Sequence, residues 1–261
     1  IGYQGKKLEE LESLSATEKA NMLFIVQDPY TSYYDAKVVR DFVALTQKLG
    51  FSPILLPFKP NGKAMHIKGF LARFSKTAKT QAEFLNRVAK LNVPLVGVDP
   101  AIVLSYRDEY KEALGDSRGD FHVLTAHEWL TNQLESNALQ SAVKNIAKSD
   151  RTFEWHLFPH CTESTFMPNS PKEWQYIFAQ FGQTLNVEKV GCCGMAGVFG
   201  HEVQNQTMSK DIYDVSWGKK LQGKDPNHCL ATGYSCRSQV KRYEKAILKH
   251  PVQALLEVLN N

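Results

Sequence analysis

A chain of 261 residues, 43% hydrophobic and 22% charged, has an ordinary soluble composition and enough core for one large domain or two small ones. Its net charge of +4 is mild, and the basic residues are interleaved with Asp and Glu, which excludes nucleic acid as the expected partner. No apolar run approaches the roughly 18 residues a membrane span needs, and no signal-peptide pattern opens the chain. The expected location is therefore cytoplasmic, with any contact to the inner membrane peripheral.

The first residue is Ile1, and Gly2–Glu18 is polar and rich in Lys and Glu. Residues 1–18 are expected to be a linker within a longer polypeptide. From Asn21 an alternating α/β rhythm begins. Met22–Val26 reads as a buried strand ended by Asp28-Pro29. Asp35–Leu49 carries Val38, Val39, Phe42, Val43, Leu45 and Leu49 at helical spacing, with Gly50 at the C-cap. Pro53–Leu56 is the next strand, followed by the Pro60-Asn61-Gly62 turn and a long helix from about Ile67 to Leu91. Pro94–Val98 is a third strand ended by Asp99-Pro100, and Ile102–Ala113 is helical. Strand, helix, strand, helix, strand implies parallel pairing with right-handed crossovers, and function gathers beyond the carboxyl ends of such strands.

Phe121–Ser149 reads as a connecting segment with Leu124, Trp129 and Leu134 as its packing residues. The rhythm then repeats. Phe153–Phe158 is a strand ended by Pro159-His160, Pro171–Phe181 a helix, and Val187–Val190 a short strand running into Gly191-Cys192-Cys193-Gly194. A weakly patterned helix follows from about Gly197, then a strand at His228–Ala231 and a closing helix at Ser238–His250, with Pro251 beyond it. The expected architecture is α/β, two tandem Rossmann-like parallel-sheet subdomains related by internal duplication. Its divisions are a linker (1–18), a first subdomain (19–120), a connection (121–150) and a second subdomain (151–261). Aligned in this way, Asp28-Pro29 faces Pro159-His160-Cys161, Asn61-Gly62 faces Cys193-Gly194, and Ser105 falls near Cys236.

All five cysteines lie after residue 160, too few and too clustered for the disulfide framework of a small secreted domain. Cys161 follows the first strand of the second half, Cys192 and Cys193 the second, and Cys236 the third. Neighbouring strand ends bring these residues together, and Gly191, Gly194 and Gly197 let the chain approach a ligand closely. A lone cysteine reads as a small hydrophobe. An adjacent pair in a glycine-rich turn, with two more thiols at neighbouring strand ends, reads as a site for a soft ligand: Zn, Cu(I) or an iron–sulfur cluster. Cys229, inside the last strand, reads as a buried structural thiol.

This arrangement resembles the Cys-Cys-Gly domain, a cysteine-rich module that usually occurs as two tandem copies. It is found in the B subunit of heterodisulfide reductase, in iron–sulfur subunits of glycolate and glycerol-3-phosphate dehydrogenases, and at the C-terminus of flavin-linked D-2-hydroxyacid dehydrogenases. Between Cys161 and Cys192 stand 30 residues (162–191), and between Cys193 and Cys236 stand 42 (194–235); both fit the family spacing. The stretch Gly233-Tyr234-Ser235-Cys236-Arg237 is similar to the tail of the large bacterial D-2-hydroxyglutarate dehydrogenases that contain FAD and iron–sulfur centres. The resemblance implies an electron-transfer module with an iron–sulfur cluster, or Zn, on Cys161, Cys192, Cys193 and Cys236. FAD would sit in a covalently linked flavin domain outside this chain, and a quinone or electron carrier would be the acceptor. His160, His201 and Arg237 are the candidates for tuning the centre or holding an anionic group; His228 is a nearby third histidine.

Three departures qualify the match. Gly233 stands at the first position of the family's final Cys-x-x-Cys, leaving four thiolates and not five. The first half carries Pro60-Asn61-Gly62 where Cys-Cys-Gly would be. Neither a ferredoxin-type cysteine run nor a flavin domain is present in these residues. Rival readings are a Zn-stapled or metal-free docking domain and a thiol–disulfide module. The Gly194–Gly197–Gly200 pattern lacks the Lys of a phosphate loop. The basic Lys59–Lys68 loop reads as a solvated turn or as a vestigial site that docks the flavin domain or binds an anion.

Overall fold

The computed structural model describes residues 8–139, 143 and 152–260. The chain divides into two compact units, Ile1–Trp129 and Leu130–Asn261.

In the first unit, strands β1 (Met22–Val26), β2 (Ser52–Leu55), β3 (Leu95–Gly97) and β4 (Val123–Thr125) form one parallel sheet in the order β2-β1-β3-β4. Phe24 pairs with both Ile54 and Leu95, and Leu95 with Val123. β1 is apolar and buried at every position because it lies inside the sheet with both faces covered. The fourth strand falls in the stretch expected to connect the halves. Its three residues are too few to register as a strand pattern in sequence.

Helices α1 (Leu8–Glu12) and α2 (Ala16–Lys19) occupy the expected linker, and Leu11 is buried in the core. α3 (Ala36–Lys48) buries Val38, Val39, Phe42 and Leu45 along one face. The long helix expected from about 67 to 91 is α5 (Leu71–Ala89), and a short α4 (Lys63–Ile67) precedes it, separated where Gly69 takes a φ of 76°. The one helix expected at 102–113 is two, α6 (Pro100–Arg107) and α7 (Glu109–Leu114). α8 (Ala126–Glu135) follows β4, and the rest of the expected connection, at 140–142 and 144–150, lies outside the described residues.

The second unit holds a three-stranded parallel sheet, β5 (Glu154–Phe158), β6 (Thr184–Val187) and β7 (Cys229–Ala231), in the order β6-β5-β7. His156 pairs with Asn186 on one side and Cys229 on the other. In both units the first strand thus lies between the second and third.

Around this sheet lie α9 (Cys161–Phe166), α10 (Ser170–Gln180), α11 (Gln206–Tyr213), α12 (Tyr234–Tyr243) and α13 (Pro251–Asn260). Two sequence expectations shift here. The strand expected at Val187–Val190 is β6, several residues earlier; of its residues only Leu185 is buried, so this edge strand shows little apolar pattern. The closing helix expected at Ser238–His250 runs instead from Tyr234 to Tyr243, and Lys245 then turns at a φ of 57°. Lys249 comes back to pair with Leu230 at the sheet, and Pro251 opens a further helix, a position where its missing N–H costs nothing.

Candidate functional site

Each candidate cysteine owes its place to the end of a strand. Cys161 is the first residue of α9, two residues beyond the Phe158–Pro159 end of β5. Cys192 and Cys193 lie in the loop between β6 and α11, and Cys236 lies in the first turn of α12, just after β7. None of the five cysteines is in a disulfide; Cys193 and Cys236 are buried and Cys161 and Cys192 half-buried.

The four form a run of contacts. Cys161 and Cys193 lie close enough to Cys192 to act on its acidity, Cys193 likewise to Cys236, and the charge of Cys236 also reaches Cys161. Among the described residues, no three or more His, Cys, Asp or Glu side chains gather as a single metal ion would need. Cys192 is the electrostatic centre. The neighbouring Cys161 and Cys193 thiols hold its thiol well below the usual range, outweighing burial, and the backbone N–H groups of Gly194 and Ala196 add to them. The Gly194 N–H lies 3.3 Å from its sulfur. Cys161 and Cys193 are pushed upward by their contact with Cys192, and burial adds to the rise.

The loop that carries the pair is fixed from three sides. Gln239 on α12 donates to the Cys193 carbonyl at 3.0 Å and to Ser209 Oγ at 2.8 Å. Ser209 on α11 in turn donates to the Gly194 carbonyl at 2.8 Å. The indole N–H of Trp217 donates to the Gly191 carbonyl at 3.1 Å, and Gly191 N–H donates to Ser216 Oγ at 2.7 Å. Gly194 has a φ of 83°, and a Cβ there would lie 2.1 Å from the Ser209 carbonyl oxygen, so only glycine fits. Ala196 sits in the left-handed region with a φ of 40°, a conformation that costs a non-glycine residue about 1 kcal/mol or more. That turn brings its N–H to Cys192.

A second network ties α9 to the turn before α12. The wholly buried Glu163 carboxylate accepts from Ser170 Oγ and Thr232 Oγ1, and Thr232 Oγ1 accepts from the His160 N–H at 2.9 Å. His160 caps α9 by accepting from Thr162 N–H through Nδ1, while Nε2 lies 3.2 Å from Ser235 Oγ, itself 3.9 Å from Cys236 Sγ. The ring also explains Gly233: a Cβ there would lie 2.3 Å from His160 Cδ2. A fifth thiol at position 233 has no room beside this histidine.

The other candidates lie elsewhere. Arg237 is buried and donates through Nη1 to the Ala231 and Thr232 carbonyls at 2.9 and 3.0 Å, clasping the end of β7. His201 is exposed on a short turn beside Arg242, and its pKa is lowered by burial of one side of the ring and then by that charge. His228 packs edge-on against Trp155 and beside Phe153. Cys229 is wholly buried in β7, its thiol pushed up to about 11 chiefly by desolvation. Sequence reasoning missed Glu163, Thr232, Ser209 and Gln239. The one signal for Glu163 was an acidic residue in the first turn after a cysteine, which resembles any helix start.

In the Lys59–Lys68 loop, Lys63 is paired with Glu109, and Lys59 lies 5.0 Å over the Phe84 ring. Only Pro60, Ala64 and Lys68 of this stretch are exposed, and Lys63–Ile67 is the helix α4 where a turn was expected.

No family model matches the chain. It is 82% identical over 259 residues to the D-2-hydroxyglutarate dehydrogenase of Haemophilus influenzae, covering 99% of this chain and 25% of that protein. It is 58% identical over 252 residues to the enzyme of that name from Escherichia coli, covering 97% of this chain and 24% of that protein. More distantly, it is 21% identical over 241 residues to one of the subunits of the anaerobic glycerol-3-phosphate dehydrogenase of Escherichia coli, covering 88% of this chain and 57% of that one. The chain thus spans about a quarter of the length of these two D-2-hydroxyglutarate dehydrogenases.

Proposed function

We propose that this chain is the electron-transfer part of a flavin-dependent D-2-hydroxyglutarate dehydrogenase and carries an iron–sulfur centre on Cys161, Cys192, Cys193 and Cys236. The observation that carries this reading is the unbroken run of thiol contacts drawn from three strand ends. The donors are all sulfur, which suits iron–sulfur chemistry. When bound, such a cluster takes up and passes on one electron at a time.

The chain's own residues prepare the place. The Gly194 and Ala196 amides stabilise negative charge on Cys192 before any ligand arrives. Phe158, Met195, Tyr213, Trp217 and Val240 pack with Cys193 and Cys236 in one buried cluster, keeping water from two of the four sulfurs. His160, acting through Ser235, stands one hydrogen bond from the neighbourhood of Cys236 and is the residue we assign to tuning the potential. In this reading FAD, the substrate site and the hydride transfer belong to the rest of a longer protein, and a quinone or soluble carrier takes the electrons. Among the described residues no helix is long and apolar enough to cross a membrane, so approach to a membrane-bound quinone would be peripheral. The common strand order of the two units is what an internal duplication would leave.

A second reading rests on the same contacts: the Cys192 thiolate would attack a disulfide substrate and release one of its thiols, and Cys161 would displace the other as the Cys161–Cys192 disulfide forms. One experiment separates the two. Protein purified under nitrogen should contain iron and acid-labile sulfide and give a paramagnetic signal on reduction. Iron-free protein that forms a Cys161–Cys192 disulfide on mild oxidation supports the exchange reading, and stoichiometric Zn would sink both.

A further inference from the structure

The positive charge of the chain gathers in one stretch. From Lys59 to Lys90 there are eight Lys and Arg and one acidic residue, Glu83, a net +7. The remaining 229 residues together carry −3, because the chain as a whole carries +4. Five of these bases lie on α5 or at its C-cap. Phe74, Ala78, Ala82, Leu85 and Val88 turn one side of that helix into the core. Arg73, Lys76, Lys79 and Arg87 come up on the other side and are exposed, as is Lys90 at the cap. Among the described residues, no carboxylate lies within ion-pair distance of any of the five.

This basic stripe starts at a corner of the fold. Gly69, at a φ of 76°, turns the chain from α4 into α5, and six consecutive residues there, Lys68 to Arg73, are exposed. Two of them are large and apolar. Phe70 is 55% exposed and Leu71 58%. The Arg73 guanidinium lies 5.7 Å from the centre of the Phe70 ring. The corner thus holds an aromatic and an aliphatic side chain out in water, with a base on either side.

The chemistry of the surface selects its partner. Unpaired bases call for an anionic one, and three kinds can be compared. Four of the six exposed bases from Lys68 to Lys90 are lysines, a residue depleted where proteins bind proteins. Nucleic acid would meet the bases through its phosphates but offers the aliphatic Leu71 no apolar layer to enter. An anionic bilayer satisfies both features. Its phosphates attract Lys and Arg at the surface, and its acyl boundary takes up bulky apolar side chains.

We propose that the Lys68–Arg73 corner and the adjoining basic stripe of α5 dock the first unit on an anionic phospholipid bilayer. Phe70 and Leu71 enter the headgroup layer, while Arg73, Lys76 and Lys79 contact phosphates. The attachment is peripheral and weakens as salt rises, because exposed charges are screened. It stands whether or not the thiols of the second unit carry a cluster.

The test is sedimentation of the full-length protein with lipid vesicles. Phosphatidylcholine vesicles with added phosphatidylglycerol should carry the protein down at low salt, and vesicles of phosphatidylcholine alone should not. Lys76→Gln combined with Lys79→Gln should weaken binding about 30-fold, since each base near an anionic surface contributes about fivefold. Phe70→Ser combined with Leu71→Ser should weaken it about tenfold or more. All four positions are exposed, so neither pair disturbs the core. Leu71→Trp adds a reporter to a chain whose four tryptophans are buried, and its emission should be quenched by lipids brominated on their acyl chains. Equal sedimentation with neutral and anionic vesicles would overturn the proposal, as would no sedimentation with either, or unchanged binding in either double variant. So would unquenched Leu71→Trp emission. Protection of Lys76 and Lys79 from an amine reagent before any vesicle is added would also overturn it, by showing that protein already covers the stripe.

Discussion

The two strand-end pockets differ in everything but position. In the second unit the residues beyond the first, second and third strands are Cys161, the Cys192–Cys193 pair and Cys236, soft thiols that act on one another's acidity. In the first unit the corresponding places hold Asp28, Asn61 and Asp99, hard oxygen and amide groups. The sheet supplies the same meeting point twice, because parallel strands end side by side. What meets there is decided by a handful of residues. Both pockets accumulate like charges, and each relieves them in its own way. Contacts with Cys161 and Cys193, helped by backbone N–H groups, stabilise the Cys192 thiolate, whereas Asp28 is pushed up to about 6 by burial and by the neighbouring Asp99, so that it gives up its proton at higher pH than a free carboxyl.

The largest expected effect tests whether only the second pocket binds a cluster. Cys192→Ser should lower bound iron at least about tenfold in anaerobic protein, whereas Asn61→Ser should leave iron content unchanged. Equal iron in wild type and Cys192→Ser would remove Cys192 from the ligand set.

Next in size is the backbone at the pair. Gly194→Ala should cost about 3 kcal/mol or more in urea denaturation, because the new methyl meets the Ser209 carbonyl. Gly50→Ala in the first unit, also at positive φ but with open space around it, should cost only about 1 kcal/mol. Similar losses for the two would show that the loop at Gly194 yields.

The acidic pocket should respond to pH in a stated direction. The folded state holds the Asp28 proton more tightly than the unfolded chain, whose carboxyl has its ordinary value near 3.8. Its contribution to stability is therefore greatest below pH 3.8, falls as pH rises to about 6, and stays low above that. Asp28→Asn, which keeps an acceptor for Tyr30 and Thr31, should stabilise the protein by up to about 3 kcal/mol at pH 8 and by little near pH 4. A variant less stable at pH 8 would mean that the charged carboxylate is the favoured form.

The smallest effect is the control. Cys229→Ala should cost about 1–2 kcal/mol for the lost packing and leave iron content untouched.

The sheets were legible because their buried strands are short apolar runs with sharp stops, as in Met22–Val26 before Asp28-Pro29. The four candidate cysteines were legible as a set because they are one residue type at successive strand ends. Other features carried no such mark. β6 is an edge strand with one buried residue, α9 is a single turn and a half, and α12 starts at Tyr234 because of a turn geometry that periodicity does not record. The supporting residues were illegible for a further reason. Glu163, Ser170 and Thr232 are ordinary polar residues whose meaning lies wholly in their meeting, with 69 positions separating Thr232 from Glu163.

The contact between Gly233 and the His160 ring limits the routes by which this sequence can change. A cysteine at 233 and a histidine at 160 compete for one volume, since the first carbon of any side chain at 233 would lie 2.3 Å from the imidazole. Neither exchange is a free first step toward a fifth sulfur. Placing the thiol first forces the ring out, and with it the cap on α9 and the link to Ser235. Vacating the ring first leaves a hole beside a glycine. An engineer or a lineage adding a thiol at 233 must therefore pass through a worse protein or change both positions at once, so the order of substitution matters.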